Sequence, residues 1–287
     1  MGELMTSYPT NGPIAVSVDA SARCDVWITA ADLPEASVDV RPRSAQRTRD
    51  LRAAELTQAS CQDGRLAVSL RPPRRHALFT DGGAVDLVIQ VPTGSSLALR
   101  TGMGDLTCGG QFGPATLITG MGGIRMDRCG ALKAKTGHGD LSVEWAAGPV
   151  DLTTGSGDLR AGQIDAAAAI RNSNGPIDLG LVGGDLRAKT GNGRIAVRQA
   201  EADVTAKSAA GAVTLERVSR GTITALTSAG GIRIGVADGA AAWLDLHTSY
   251  GAVSSELEPA GDPGQPARTV KIHARTAAGD IAITRVR

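Results

Sequence analysis

Aromatic side chains make up only 2% of this 287-residue chain: three Trp, two Tyr and two Phe. Sites for a haem, a flavin or stacked nucleic-acid bases draw on such side chains, so this chain is poorly supplied for them and no cofactor is expected. Charge is equally uninformative in bulk. A formal net charge of +1 gives no global pull toward nucleic acid or an anionic surface, and any electrostatic partner must be read from a local pattern. The four cysteines, Cys24, Cys61, Cys108 and Cys129, form no C-x-x-C pair and no Cys/His cluster. That spacing argues against a zinc site and a disulfide framework, and idle or buried thiols are expected. No stretch reaches the roughly 18 apolar residues of a membrane span, and Met1 to Pro13 holds no apolar segment of signal-peptide length. The expectation is a cytoplasmic protein without a membrane span.

Glycine, in contrast, is plentiful at 37 residues. With so few aromatics, the interior must be filled by Val, Ile, Leu and Ala, which stack well in narrow β-layers. A short Gly turn recurs along the chain, as GMGD, GMGG, GHGD, GSGD, SNGP, GNGR, AAGA, SAGG, SYGA and AAGD. Its third-position glycine falls at Gly104, Gly122, Gly139, Gly157, Gly175, Gly193, Gly211, Gly230, Gly251 and Gly279, spaced by 18, 17, 18, 18, 18, 18, 19, 21 and 28 residues. Internal periodicity of this kind marks a stack of like units.

Alignment on that glycine gives columns of uniform character. Two residues after it the chain carries Leu, Ile or Val in every repeat; seven and five before it the residue is always aliphatic. Apolar positions alternating with polar ones have the period of two of a strand with one buried face. Three before the glycine stands Thr, Ser or Asn throughout, able to bond the neighbouring coil or the turn backbone. At about 0.2–1 kcal/mol per cross-strand contact, such a column matters by repetition. One 18-residue repeat cannot bury its apolar face, whereas stacking buries two layers against each other. The sequence therefore predicts an all-β, single-stranded parallel β-helix, a β-solenoid of about ten coils of roughly 18 residues, with an irregular N-terminal β cap.

Residues 1–90 lack the glycine period and read as N-terminal strands and a cap, with strand-like runs at Pro13–Val18, Cys24–Thr29, Ser37–Val40, Leu66–Leu70 and Val85–Val91. Arg43 to Gly64 is polar and shows no β alternation, and Arg71–His76 reads as a loop from its prolines. Residues 91–287 hold the solenoid repeats, continuous with the cap as one domain, and Glu258–Arg268, rich in Pro and Gly, reads as a loop inserted in one coil.

The segments LALRTGMGDLTC, LKAKTGHGDLSV and VDLTTGSGDLRA resemble those of the bacterial β-strand-repeat "putative adhesin" family of unknown function. The resemblance covers roughly residues 85–287. It implies a right-handed parallel β-helix and an adhesin-like role, and it brings no catalytic residues with it.

Candidate chemistry is sparse. Asp105, Asp140, Asp158 and Asp280 follow the turn glycine, and carbohydrate-active β-helices use clustered carboxylates. No second carboxylate column faces them here, and a turn Asp ordinarily bonds its own backbone, so no catalytic residue, metal or enzyme activity is assigned. GMGD lacks the completions of a phosphate-cradling loop. The informative column lies four before the glycine: Arg100, Ile118, Lys135, Thr153, Arg171, Lys189, Lys207, Leu226, His247 and Arg275. Like charges about 5 Å apart repel by roughly 0.8 kcal/mol in water, so a basic stripe of Arg100, Lys135, Arg171, Lys189, Lys207 and Arg275 is mildly unfavourable without a partner. It reads either as a polyanion-binding surface or as a solubilising strand face. The functional expectation is a non-enzymatic binding or scaffold protein whose partner is another protein or a second copy, with an anionic polymer as the alternative.

Overall fold

The computed structural model describes residues 4–70, 83–257 and 268–287. Arg71–His76 and nearly all of the 258–268 segment lie outside the described residues. The chain divides into two compact units, Met1–Val143 and Glu144–Arg287. Both are parallel β-solenoid stacks, as the periodicity requires.

The second unit shows the repeat in its regular form. Its strands are β13 (Val150–Ser156), β14 (Leu159–Ile164), β15 (Ala168–Asn174), β16 (Ile177–Val182), β17 (Leu186–Asn192), β18 (Ile195–Ala200), β19 (Val204–Ala210), β20 (Val213–Val218), β21 (Gly221–Ala229), β22 (Ile232–Ala237), β23 (Ala240–Tyr250), β24 (Val253–Ser255), β25 (Arg268–Ala278) and β26 (Ile281–Val286). The strand before each turn pairs in parallel with its equivalent one coil on, so that Leu186 sits opposite Ala168 and Val204. The strand after the turn does likewise in a second layer, where Ile195 sits opposite Ile177 and Val213. Side chains of the aliphatic columns, such as Val204, Ala206, Val213 and Leu215, are buried between the layers. An 18-residue spacing returns each column to the same place, and burial of such rows at ~25 cal/mol per Å² is what drives stacking.

Only glycine fits the turn. The repeated glycines have φ between 128° and 153°, a region closed to L side chains. At Gly211 a Cβ would also lie 2.2 Å from the Gly193 carbonyl oxygen of the adjacent coil. The column three residues earlier uses that same carbonyl. Thr136 Oγ1 donates to Gly122 O at 2.9 Å, Ser208 Oγ to Gly193 O at 3.0 Å, Thr227 Oγ1 to Gly211 O at 2.9 Å and Asn172 Nδ2 to Gly157 O at 2.9 Å.

Stack order departs from chain order at the C-terminal end. β25 lies between β21 and β23, and β26 between β22 and β24. Thr276 Oγ1 accordingly donates to Gly230 O, and Thr248 Oγ1 to Gly279 O, both at 2.9 Å. The chain steps out to lay down β23 and β24 and then returns to fill the rung it skipped. The 28-residue spacing marks this return.

The first unit contains β1 (Leu4–Pro9), β2 (Ala15–Ala31), β3 (Glu35–Pro42), α1 (Thr48–Leu56), β4 (Gln58–Gln62), β5 (Arg65–Leu70), β6 (Ala84–Pro92), β7 (Ser96–Met103), β8 (Leu106–Gln111), β9 (Ala115–Met121), β10 (Ile124–Cys129) and β11 (Leu132–His138), and the division falls within β12 (Leu141–Ala146). β2 is a complete coil: Ala15–Ala20 pairs with β5 on one side and β7 on the other, while Arg23–Ala31 pairs with β6 and β8. The two runs expected at Pro13–Val18 and Cys24–Thr29 are thus one strand that bends through both layers. Here too a later coil, β5 with β6, lies outside an earlier one.

Antiparallel strands close this end. β4 pairs with β5, β3 with β6 and β1 with β3. The polar stretch from Arg43 to Gly64, which shows no β alternation in sequence, contains α1, β4 and a two-residue hairpin loop. That loop is Asp63-Gly64, with φ of 48° and 69°, the Asp-Gly signature of a tight hairpin. Helix α1 is pinned by its buried Asp50, whose Oδ1 accepts from Ala84 N at 2.9 Å.

Candidate functional site

Strand alternation sends the stripe column outward. All six residues, Arg100, Lys135, Arg171, Lys189, Lys207 and Arg275, are exposed. In the first unit Ile118 stands between Arg100 and Lys135 in register, which dilutes the charge. In the second unit Arg171, Lys189 and Lys207 occupy three consecutive paired strands, followed by Leu226, Arg275 and His247.

Two of the six are already engaged within the chain. Arg171 Nη1 meets Asp151 Oδ1 at 3.1 Å, and Arg275 Nη2 meets Asp245 Oδ2 at 3.3 Å. Asp245 also accepts from His273 Nδ1 at 3.1 Å, and these contacts, His273 first, hold its carboxyl below the usual carboxylate range. Lys189 and Lys207 have no ion pair among the described residues, and neither has the neighbouring Arg187. Arg187 is a member of this cluster that column reading missed. It lies two residues before Lys189 on the same exposed face of β17, in a column whose other members are mixed, and the period-two rule applied within β17 would have found it. β15, β17 and β19 contribute no carboxylate at all to this face.

Two of the turn carboxylates, Asp105 and Asp280, bond differently from the expected self-bonding turn. Asp105 Oδ1 accepts from Gly123 N at 2.7 Å and Asp280 Oδ1 from Ala252 N at 2.8 Å, each bridging to the adjacent coil. Asp25 extends this ladder by accepting from Asp105 N at 3.0 Å. These carboxylates therefore tie one coil to the next. Asp25 and Asp86, paired in register, share the guanidinium of Arg43, which clamps the end of β3 to β2 and β6.

No group of three or more His, Cys, Asp or Glu could hold a metal ion among the described residues. A pocket of about 470 Å³ beneath α1 is lined by residues such as Thr6, Val38, Ala54 and Gln58, with no charged group. Burial pushes the Cys24 thiol up to about 12 and the Cys129 thiol to about 11, and raises that of Cys108 further. Such thiols are protonated and unreactive at neutral pH. No described helix is long and apolar enough to cross a membrane.

Among curated proteins none matches the chain. Solved structures that it resembles include a "putative adhesin" from Parabacteroides merdae, at 12% identity and a TM-score of 0.38, covering 99% of this chain and 95% of that one. A "putative adhesin" from Bacteroides fragilis shares 9% identity with a TM-score of 0.32, covering 99% and 97%. A "putative lipid binding protein" from Parabacteroides distasonis shares 12% identity with a TM-score of 0.35, covering 99% and 96%. The Toastrack DUF4097 family pattern matches residues 15–286, and the chain belongs to that family.

Proposed function

We propose that the protein is a non-enzymatic binding module that engages a linear polyanion, such as an acidic glycan or nucleic acid, along the outward face of the β15, β17 and β19 layer. The observation that carries this reading is the exposed cluster of Arg187, Lys189 and Lys207, without ion pairs or carboxylates on its own strands. Successive coils repeat every ~4.8 Å, so an extended polymer lying along the stack presents charge to each coil in turn. With almost no aromatics on offer, recognition rests on charge rather than on stacking. Binding is therefore salt-sensitive and tolerant of polymer sequence.

The test is titration of the protein with an acidic polysaccharide and a single-stranded oligonucleotide at several salt concentrations. The triple variant Arg187→Glu, Lys189→Glu, Lys207→Glu is expected to lose binding, and single neutralisations to lower the slope of log K against log salt by about 0.7–0.9 each. Arg233→Glu on β22, exposed on the other layer, serves as the control that leaves affinity unchanged. Undiminished binding by the triple variant, or no binding by the parent protein, removes the proposal.

A further inference from the structure

The last coil of the stack is unlike every other. The inward columns of β25 and β21, such as Ile272, Ala274, Ile223 and Ala225, are fully buried, whereas the same columns of β23, Leu244 and Leu246, are only half-buried. The most exposed large apolar side chains also gather here: Tyr250 at 81%, Trp243 at 77% and Val253 at 48%. Among the described residues β23 and β24 each have one strand partner, β25 and β26, and an open edge on the other side. An open, apolar sheet edge of this kind is a template for pairing. In the first unit the equivalent end is closed by antiparallel strands.

We infer that β23 is a self-association edge, at which two copies of the chain join end to end about a two-fold axis through Leu246. The polar groups of the edge follow from the repeat. Seven residues before the turn glycine, the amides of Leu97, Ala115, Val150, Ala168 and Leu186 each donate to the following coil, as in Ala168 N to Asp185 O and Leu186 N to Asp203 O, both 2.8 Å. In β23 that phase turns the N–H and C=O groups of Leu244, Leu246 and Thr248 away from β25. A two-fold partner must run antiparallel, and its hydrogen-bonded pairs must be drawn from residues of this phase. One such register sets Leu246 opposite its own copy and Leu244 opposite Thr248. On the outward side it places Asp245 opposite the His247 imidazole, and Trp243 opposite Ser249. Both neighbouring registers lose the pairing of Asp245 with His247: the one centred on Asp245 sets two Asp245 carboxylates face to face, which is unfavourable, and the one centred on His247 sets two imidazoles face to face. Side-chain chemistry thus selects the Leu246-centred arrangement, which continues the first layer across the axis and covers Leu244 and Leu246.

Sedimentation of the full chain over a range of concentrations tests this, read together with disulfide trapping. A reversible dimer is expected, and His247→Asp, at an exposed site, is expected to weaken it roughly tenfold by opposing two carboxylates twice over. On a Cys61→Ser background, Leu246→Cys is expected to cross-link two chains under mild oxidation, because directly opposed Cα atoms lie about 5.5 Å apart. Ser249→Cys, whose own copy is remote in this register, is expected to remain uncross-linked. A strict monomer, filaments in place of a closed dimer, or a dimer indifferent to His247→Asp and untrapped by Leu246→Cys would each overturn the inference. Far-UV circular dichroism of each variant separates loss of pairing from loss of fold.

Discussion

Gly211 illustrates how little freedom a single position has in this repeat. Its φ of 146° and the 2.2 Å approach of Gly193 O to a hypothetical Cβ act together. Replacement by alanine requires both a strained backbone, at about 1–3 kcal/mol, and a shift of the adjacent coil, so Gly211→Ala is expected to lower stability by several kcal/mol in urea unfolding. Gly12, which also has positive φ but nothing within 4 Å of its Cβ position, should tolerate the change better. The cysteines give a second residue-scale expectation. Burial holds the folded values of Cys24 and Cys129 above the ordinary thiol value, so the stability these two contribute is complete below about pH 9 and is lost as pH rises toward 11 and 12. Melting temperature should therefore fall across that window, and a Cys129→Ala variant should fall less steeply. A thiol reagent at neutral pH should find Cys61, the one cysteine that is not buried.

Two sets of side chains bond neighbouring coils to one another. Thr119, Thr136, Thr227, Thr248 and Thr276 donate to the glycine carbonyl of the adjacent coil, and Asp105 and Asp280 accept from the adjacent coil's amide. Thr136→Val keeps shape but removes the bond to Gly122 O, and a cost of about 0.5–1.5 kcal/mol is expected in equilibrium unfolding. The Thr column, the glycine and the aliphatic columns were legible because each answers to a short period. The direction of the Asp bonds was not, because an Asp in a turn looks alike whether it bonds its own backbone or the adjacent coil. The α1 helix escaped detection for a related reason. It buries only Asp50, Ala53 and Ala54, too small an apolar face for periodicity to reveal. Arg187 is a partial case: its strand was legible, but its membership in the basic cluster depended on a column that is not basic elsewhere.

Stack order is the feature that no local pattern can carry. A parallel ladder satisfies the columns whether β25 follows β23 or is inserted before it, and only the pairings of β25 with β21 and β23 distinguish the two. The distinction has a measurable consequence in hydrogen exchange. In β23 of a monomer, the amides of Leu244, Leu246 and Thr248 point to the open edge and should exchange freely, while those of Asp245 and His247 are bonded toward β25 and should be slower. The central strands β17 and β19, paired on both sides, should exchange most slowly of all. Raising the protein concentration should protect the amides of Leu244, Leu246 and Thr248 selectively, because pairing with a second copy uses those groups and leaves the alternate ones unchanged. Uniform protection along β23 at all concentrations would mean that the edge is covered within one chain. Alternate protection that grows with concentration would locate the two-fold contact at this strand.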